Sequence, residues 1–78
     1  MADVVVRFWA GAQRAAGHAE ESHAATSVGE LRALLAQRPE LSNVCAAASF
    51  LVDGARSSDA TVLRDGAEVD VLPPFAGG

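Results

Sequence analysis

The residues best suited to chemistry stand at the end of the sequence, in Pro73-Pro74-Phe75-Ala76-Gly77-Gly78. Two closing glycines present a main-chain carboxylate that no side chain shields. Pro73 and Pro74 cannot donate to a sheet ladder and favour extended polyproline backbone. Six extended residues reach at most about 20 Å. The expectation is a stiff arm, 73–78, on a folded body, 1–72, with the reactive group at its tip.

The side chains offer no rival constellation. The ten carboxylates are dispersed, and none is paired by helical spacing opposite a base. There is no Gly-x-Ser-x-Gly, no glycine-rich phosphate loop before a helix and no Cys/His dyad. His18 and His23 lie five apart without a well-spaced third ligand, so both read as solvated surface histidines, and no metal site is expected. Cys45, the single cysteine, excludes an internal disulfide and a multi-thiolate metal site. Set between Val44 and three alanines, it reads as a buried thiol. The formal net charge of −4 argues against nucleic acid, which needs a basic patch. All six basic residues are scattered arginines. Without lysine the chain has no side-chain amine for acylation, isopeptide linkage or a Schiff base. Absence of a signal-peptide pattern or a membrane-length apolar run makes the cytoplasm the expected compartment.

The elements that must position the arm follow from hydrophobic periodicity. Seventy-eight residues make one small domain. Of its 39 hydrophobic residues 17 are alanine, so the core is one layer of valine and leucine under one helix. Val4 to Trp9 is the first strand, with Val4, Val6 and Phe8 facing the core and Val5, Arg7 and Trp9 on the open face. Trp9 there reads either as a partly buried packing residue or as a partner anchor. Residues 10–17 form a connection with helical flavour, closed by Gly17 as a C-cap. Residues 18–25 hold an edge strand. Ser27 and Glu30 make a capping box for a helix that runs to about Arg38, before Pro39, with Val28, Leu31, Leu34 and Leu35 as its apolar stripe. Residues 40–47 are irregular or a short helical turn with Leu41 and Val44 as plugs. Residues 48–52 are the third strand, turned by Asp53-Gly54 into a short strand or loop at 55–58. After the turn at Arg64-Asp65-Gly66, Glu68 to Leu72 is the last strand, with Val69 and Val71 inward and Glu68 and Asp70 outward. Two hairpin-like halves around one helix give an α+β, β-grasp (ubiquitin-like) fold. Its mixed sheet has four to five strands, with the first and last parallel at the centre.

With that frame the sequence is identified as resembling the ubiquitin-like sulfur-carrier family, most closely its molybdopterin synthase small subunits. The resemblance runs from Val4-Val5-Val6-Arg7-Phe8-Trp9-Ala10, Arg14 and Gly17 through Ser27-Val28-Gly29-Glu30-Leu31 and Leu51-Val52-Asp53-Gly54. It continues through Leu63-Arg64-Asp65-Gly66-Ala67-Glu68-Val69 to Leu72-Pro73-Pro74-Phe75-Ala76-Gly77-Gly78. Departures are Asp53 for the usual Asn, Ala67 for an acid and Phe75 for a smaller residue. None touches the terminal pair.

The resemblance implies that a partner adenylyltransferase (sulfurylase) uses ATP to turn the Gly78 carboxylate into an acyl-adenylate. Sulfur from a persulfide or sulfide source then gives a thiocarboxylate, which a molybdopterin synthase large subunit, expected in a heterotetramer, spends on a pterin precursor. A carboxylate is a poor electrophile until one oxygen becomes a leaving group, so activation is required. Gly77 and Gly78, lacking Cβ, suit a narrow partner channel. The expected site is thus Gly78 as the reacting group, with Gly77, Ala76, Phe75, Pro74 and Trp9 as partner contacts. The chain itself binds no cofactor and needs its partners for catalysis. Carriers serving thiamin or cysteine synthesis, and ubiquitin-type protein modifiers, share these features. The missing lysines preclude isopeptide chains built on its own body.

Overall fold

The computed structural model describes residues 2–73. In chain order these form β1 (Ala2–Phe8), α1 (Gly11–Ala16), β2 (Glu20–Ala25), α2 (Val28–Ala36), α3 (Ser42–Ala47), β3 (Ser49–Val52), β4 (Ala55–Arg56) and β5 (Glu68–Leu72). The strands make one mixed sheet in the order β2-β1-β5-β3-β4. β1 and β5 pair parallel at its centre, with Val6 beside Val69 and Phe8 beside Val71. β2 and β4 are edges, each antiparallel to its neighbour. This is the expected β-grasp, with five strands and, among the described residues, one main helix, α2, beside the two short helices α1 and α3.

The period-2 pattern sorts the strands as expected. Val4, Val6, Phe8, Phe50, Val69 and Val71 are buried on the helix side. They meet Val28, Leu31 and Leu35 of α2, together with Leu41 and Cys45. Leu34, placed in the same stripe from sequence, is 36% exposed. At about 100° per residue it lies roughly 120° round the helix from Val28, against roughly 60° for Leu31 and 20° for Leu35. It therefore sits at the margin of the buried face.

The start of α2 satisfies its orphan N–H groups one by one. Val28 N–H donates to the Thr61 carbonyl at 3.0 Å and Gly29 N–H to the Asp59 carbonyl at 2.9 Å. Glu30 N–H donates to Ser27 Oγ at 3.2 Å. The Glu30 carboxylate reaches back to Thr26 N–H at 2.7 Å, one residue before the cap. The loop 58–63 is thus fastened along the helix start. The helix ends at Ala36, two residues short of the sequence expectation, and Arg38 is used elsewhere. Its guanidinium donates to Glu21 at 2.6 Å, Glu40 at 3.0 Å and the Ala16 carbonyl at 3.3 Å, tying β2 to the end of α1. Arg32 does the same for α3, donating to the Cys45 carbonyl at 2.6 Å and the Ala48 carbonyl at 3.0 Å while stacking 4.4 Å from Phe50.

Candidate functional site

The root of the arm is β5, the middle strand of the five, bonded to β1 on one side and β3 on the other. Leu72 pairs with Ser49, and Pro73 is the last described residue. A groove of about 620 Å³ opens beside this root, between Ser49, Leu51, Arg56, Leu72 and Pro73. Pro74, Phe75, Ala76, Gly77 and Gly78, the residues assigned to the arm and its reacting tip, lie outside the described residues.

Trp9, the remaining assigned residue, is placed on the open face. It follows β1 and extends the parallel ladder, its N–H donating to the Val71 carbonyl at 3.2 Å. It is 47% exposed. The next residue, Ala10, has φ 50° and ψ −125°, a backbone that alanine seldom adopts. That bend takes the chain off the sheet into α1.

What sequence reading missed is the group beneath Trp9. Asp70 points outward as predicted, yet it is only 7% exposed, the one buried charged residue of the described chain. Its cover comes from β1 and the residue that follows it. The Arg7 guanidinium grips it as a fork, Nε to Oδ1 at 2.7 Å and Nη2 to Oδ2 at 3.1 Å. Trp9 Nε1–H donates to the same Oδ1 at 3.0 Å. The Arg7 fork is the main cause holding the Asp70 carboxyl below the usual carboxylate range, against the opposing pull of burial, with the indole bond adding to it. Reciprocally, Asp70 holds the Arg7 guanidinium above its ordinary value. Glu68 lies 3.8 Å from Arg7 Nη1, and Glu20 is the cross-strand neighbour of Arg7 on β2. A cleft of about 210 Å³ lies between Arg7, Trp9, Gln13, Ala19 and Glu20. The parallel pairing of β1 and β5 was legible, but the register that sets Arg7 beside Asp70 is a finding of the structure.

Other assigned side chains have structural uses. His23 is not a freely solvated histidine. Its Nε2 lies 2.8 Å from Glu21, and its side chain is largely covered. Burial alone would raise the Glu21 carboxyl, but the bonds from Arg38 and His23 outweigh it and hold the carboxyl low. His18 is exposed. Cys45 is buried, and desolvation pushes its thiol up, away from the reactive thiolate. Asp53 takes φ 49° before Gly54 at φ 83°, the paired positive φ of a type I′ hairpin, and its Oδ1 accepts from Glu68 N–H at 2.9 Å. An aspartate thus fills the turn position where asparagine is usual. Among the described residues no three His, Cys, Asp or Glu side chains gather to hold a metal, and no helix is long and apolar enough to cross a membrane.

Comparison with known proteins gives a family match and structural neighbours. The ThiS family model matches residues 6–78. Small archaeal modifier protein 1 from Methanosarcina acetivorans is 28% identical, with 100% of this chain and 98% of that one covered and a TM-score of 0.83. A chain from the complex of subunits 1 and 2 of molybdopterin-converting factor from Helicobacter pylori is 26% identical, covering 97% and 99%, with a TM-score of 0.77. Subunit 1 of a molybdopterin-converting factor from Pyrococcus furiosus, 24% identical over 96% and 100% with a TM-score of 0.84, shares the fold. No curated protein sequence gives a significant match.

Proposed function

Because this chain belongs to the ThiS family, we propose that it is the sulfur-carrier small subunit of a molybdopterin synthase, acting through the main-chain carboxylate of Gly78. The observation that carries the reading is the extent of the family match, which runs through residue 78 and so takes in both terminal glycines. An activating adenylyltransferase joins the carboxylate to the α-phosphate of ATP and releases pyrophosphate. Hydrosulfide then displaces AMP to leave a thiocarboxylate. With a persulfide donor the outer sulfur displaces AMP to give an acyl disulfide, which a second thiol reduces to the thiocarboxylate, itself ending in a disulfide with the donor cysteine. The large subunit takes that sulfur onto a pterin precursor in molybdenum cofactor synthesis, in the cytoplasm. The body contributes no reacting side chain. It presents the arm, with Gly77, Ala76, Phe75 and Pro74 in the partner's channel and Trp9 against its surface. The Helicobacter complex of two converting-factor subunits supports a large-subunit partner.

The test is an intact-mass measurement after incubation with the activating enzyme, ATP and a sulfur donor. The expected product has one oxygen replaced by sulfur, located on Gly78, and a chain lacking Gly78 gains nothing. No gain with a competent enzyme overturns the carrier reading. A second reading, a protein modifier, is favoured by the likeness to the archaeal modifier. It predicts that the activated chain becomes joined to target lysines instead of giving sulfur to the pterin when the large subunit is present.

A further inference from the structure

The open sheet face carries a built group that the tail chemistry does not use. Asp70, Arg7 and Trp9 converge there from two central strands, and none is needed to fill the core. An exposed tryptophan ordinarily has rotamer freedom that it loses on binding. Here the indole is fixed in advance by the Asp70 carboxylate at 3.0 Å, and Arg7 lies 6.0 Å from the ring centre. Buried charge of this kind costs desolvation and adds little net stability over an apolar pair. What it supplies is a fixed position.

The surroundings specify what would dock. Val5, Leu51 and Leu72 are half-buried on the same face. Glu20 and Glu68 are exposed on either side of Arg7. Arg7 already has its fork spent on Asp70, so the local balance is acidic, as is the whole chain at −4. The cleft of about 210 Å³ beside Trp9 has Glu20 on its wall.

We propose that Asp70 is a positioning residue for partner recognition. It pre-forms a Trp9–Arg7 anchor on the open face, and Glu20 and Glu68 select a partner surface with an apolar centre and a basic rim. This rests on the carrier reading above, the large subunit being the partner.

The experiment uses the full chain and the large subunit, with affinity, melting temperature and steady-state sulfur transfer measured together. Arg7→Met with Asp70→Leu replaces the ion pair by apolar groups of similar volume. The expected result is a melting temperature within a few degrees of wild type and a Kd weakened by about tenfold or more, as loss of one well-placed anchor gives. Arg7→Lys keeps the charge, removes the fork and carries the test even if the double variant fails to fold. It should raise KM for the carrier while leaving kcat unchanged, because the tail is intact. A merely structural pair would instead leave both affinity and KM at wild-type values, and that result overturns the proposal. Glu20→Gln with Glu68→Gln should flatten the salt dependence of the association rate. An unchanged slope removes the basic rim. A wild-type chain that does not bind the large subunit overturns the functional reading and this inference together. Wild-type binding matched by every variant overturns the inference alone.

Discussion

Replacing Gly29 by alanine sets two effects of similar size against each other, and the structure decides which wins. In an exposed helix, alanine is better than glycine by about 1 kcal/mol. At Gly29 the added Cβ would stand 3.0 Å from both the Asp59 Cβ and the Asp59 carbonyl oxygen. That carbonyl accepts the Gly29 N–H at 2.9 Å, and the Asp59 carboxylate accepts from Arg32 Nε at 3.1 Å. The close neighbour is therefore partly backbone, held by two bonds, and yields only by loosening the loop from the helix. Overpacking of this kind costs about 1–3 kcal/mol, and a weakened hydrogen bond about 1 kcal/mol more. The net expectation is a destabilisation of about 1–3 kcal/mol, in a domain whose total stability is roughly 4–12 kcal/mol. Thermal unfolding followed by circular dichroism should show a fall of roughly 4–24 °C, at about 4–8 °C per kcal/mol. Gly11, in the first turn of α1, is the internal control. A Cβ there meets only the flexible end of Arg14 at 3.7 Å, so Gly11→Ala should leave the midpoint unchanged or raise it. If Gly29→Ala raises the midpoint as well, the contact with Asp59 is not a constraint and the reasoning fails.

Two further outcomes check the core and the site. Leu31→Ala should cost about 2–5 kcal/mol, as expected for a fully buried leucine. Leu34→Ala should cost about 1 kcal/mol or less, as for a marginal surface position. Equal shifts in urea midpoint would mean that α2 packs on a different face. The Asp70 carboxyl is held low in the folded chain, so its ionised form contributes stability above the unfolded carboxylate value near 4, and that contribution is lost as pH falls through the lower folded value. Asp70→Asn should therefore be clearly less stable than wild type at pH 7, with the gap closing toward pH 3. A gap that stays constant over that range would show that the Asp70 charge is not what Arg7 and Trp9 hold.

Most of the body was legible because its signals are local. Alternation in Val4–Phe8 and Glu68–Leu72, the Ser27 cap, the Gly17 C-cap and the Asp53-Gly54 turn each need only a few neighbouring residues. The short helix α3 carries a weaker local signal, because it has no side-chain cap and reads as alanine beside small polar residues. The features that sequence could not show depend on distant partners. Asp70 looks like an ordinary outward acid until residues 61 and 63 positions away close over it. Gly29 looks like a helix weakness until Asp59 lies against it. Leu34 differs, since its margin position follows from helical angle alone and could have been read.

The same contrast bears on how the body would serve the reaction proposed for Gly78. The chemistry proposed for Gly78 needs a carboxylate and the absence of a Cβ. Delivering it needs a root that does not move when a partner takes hold of the arm. β5 meets that need, because it is hydrogen-bonded along both edges, to β1 on one side and β3 on the other. Its inward valines are fully buried, and its outward aspartate is fastened by Arg7 of β1 and by Trp9, which follows that strand. An edge strand in that place would share any strain on the arm with solvent. A central strand passes it to the whole core through its bonds to β1 and β3.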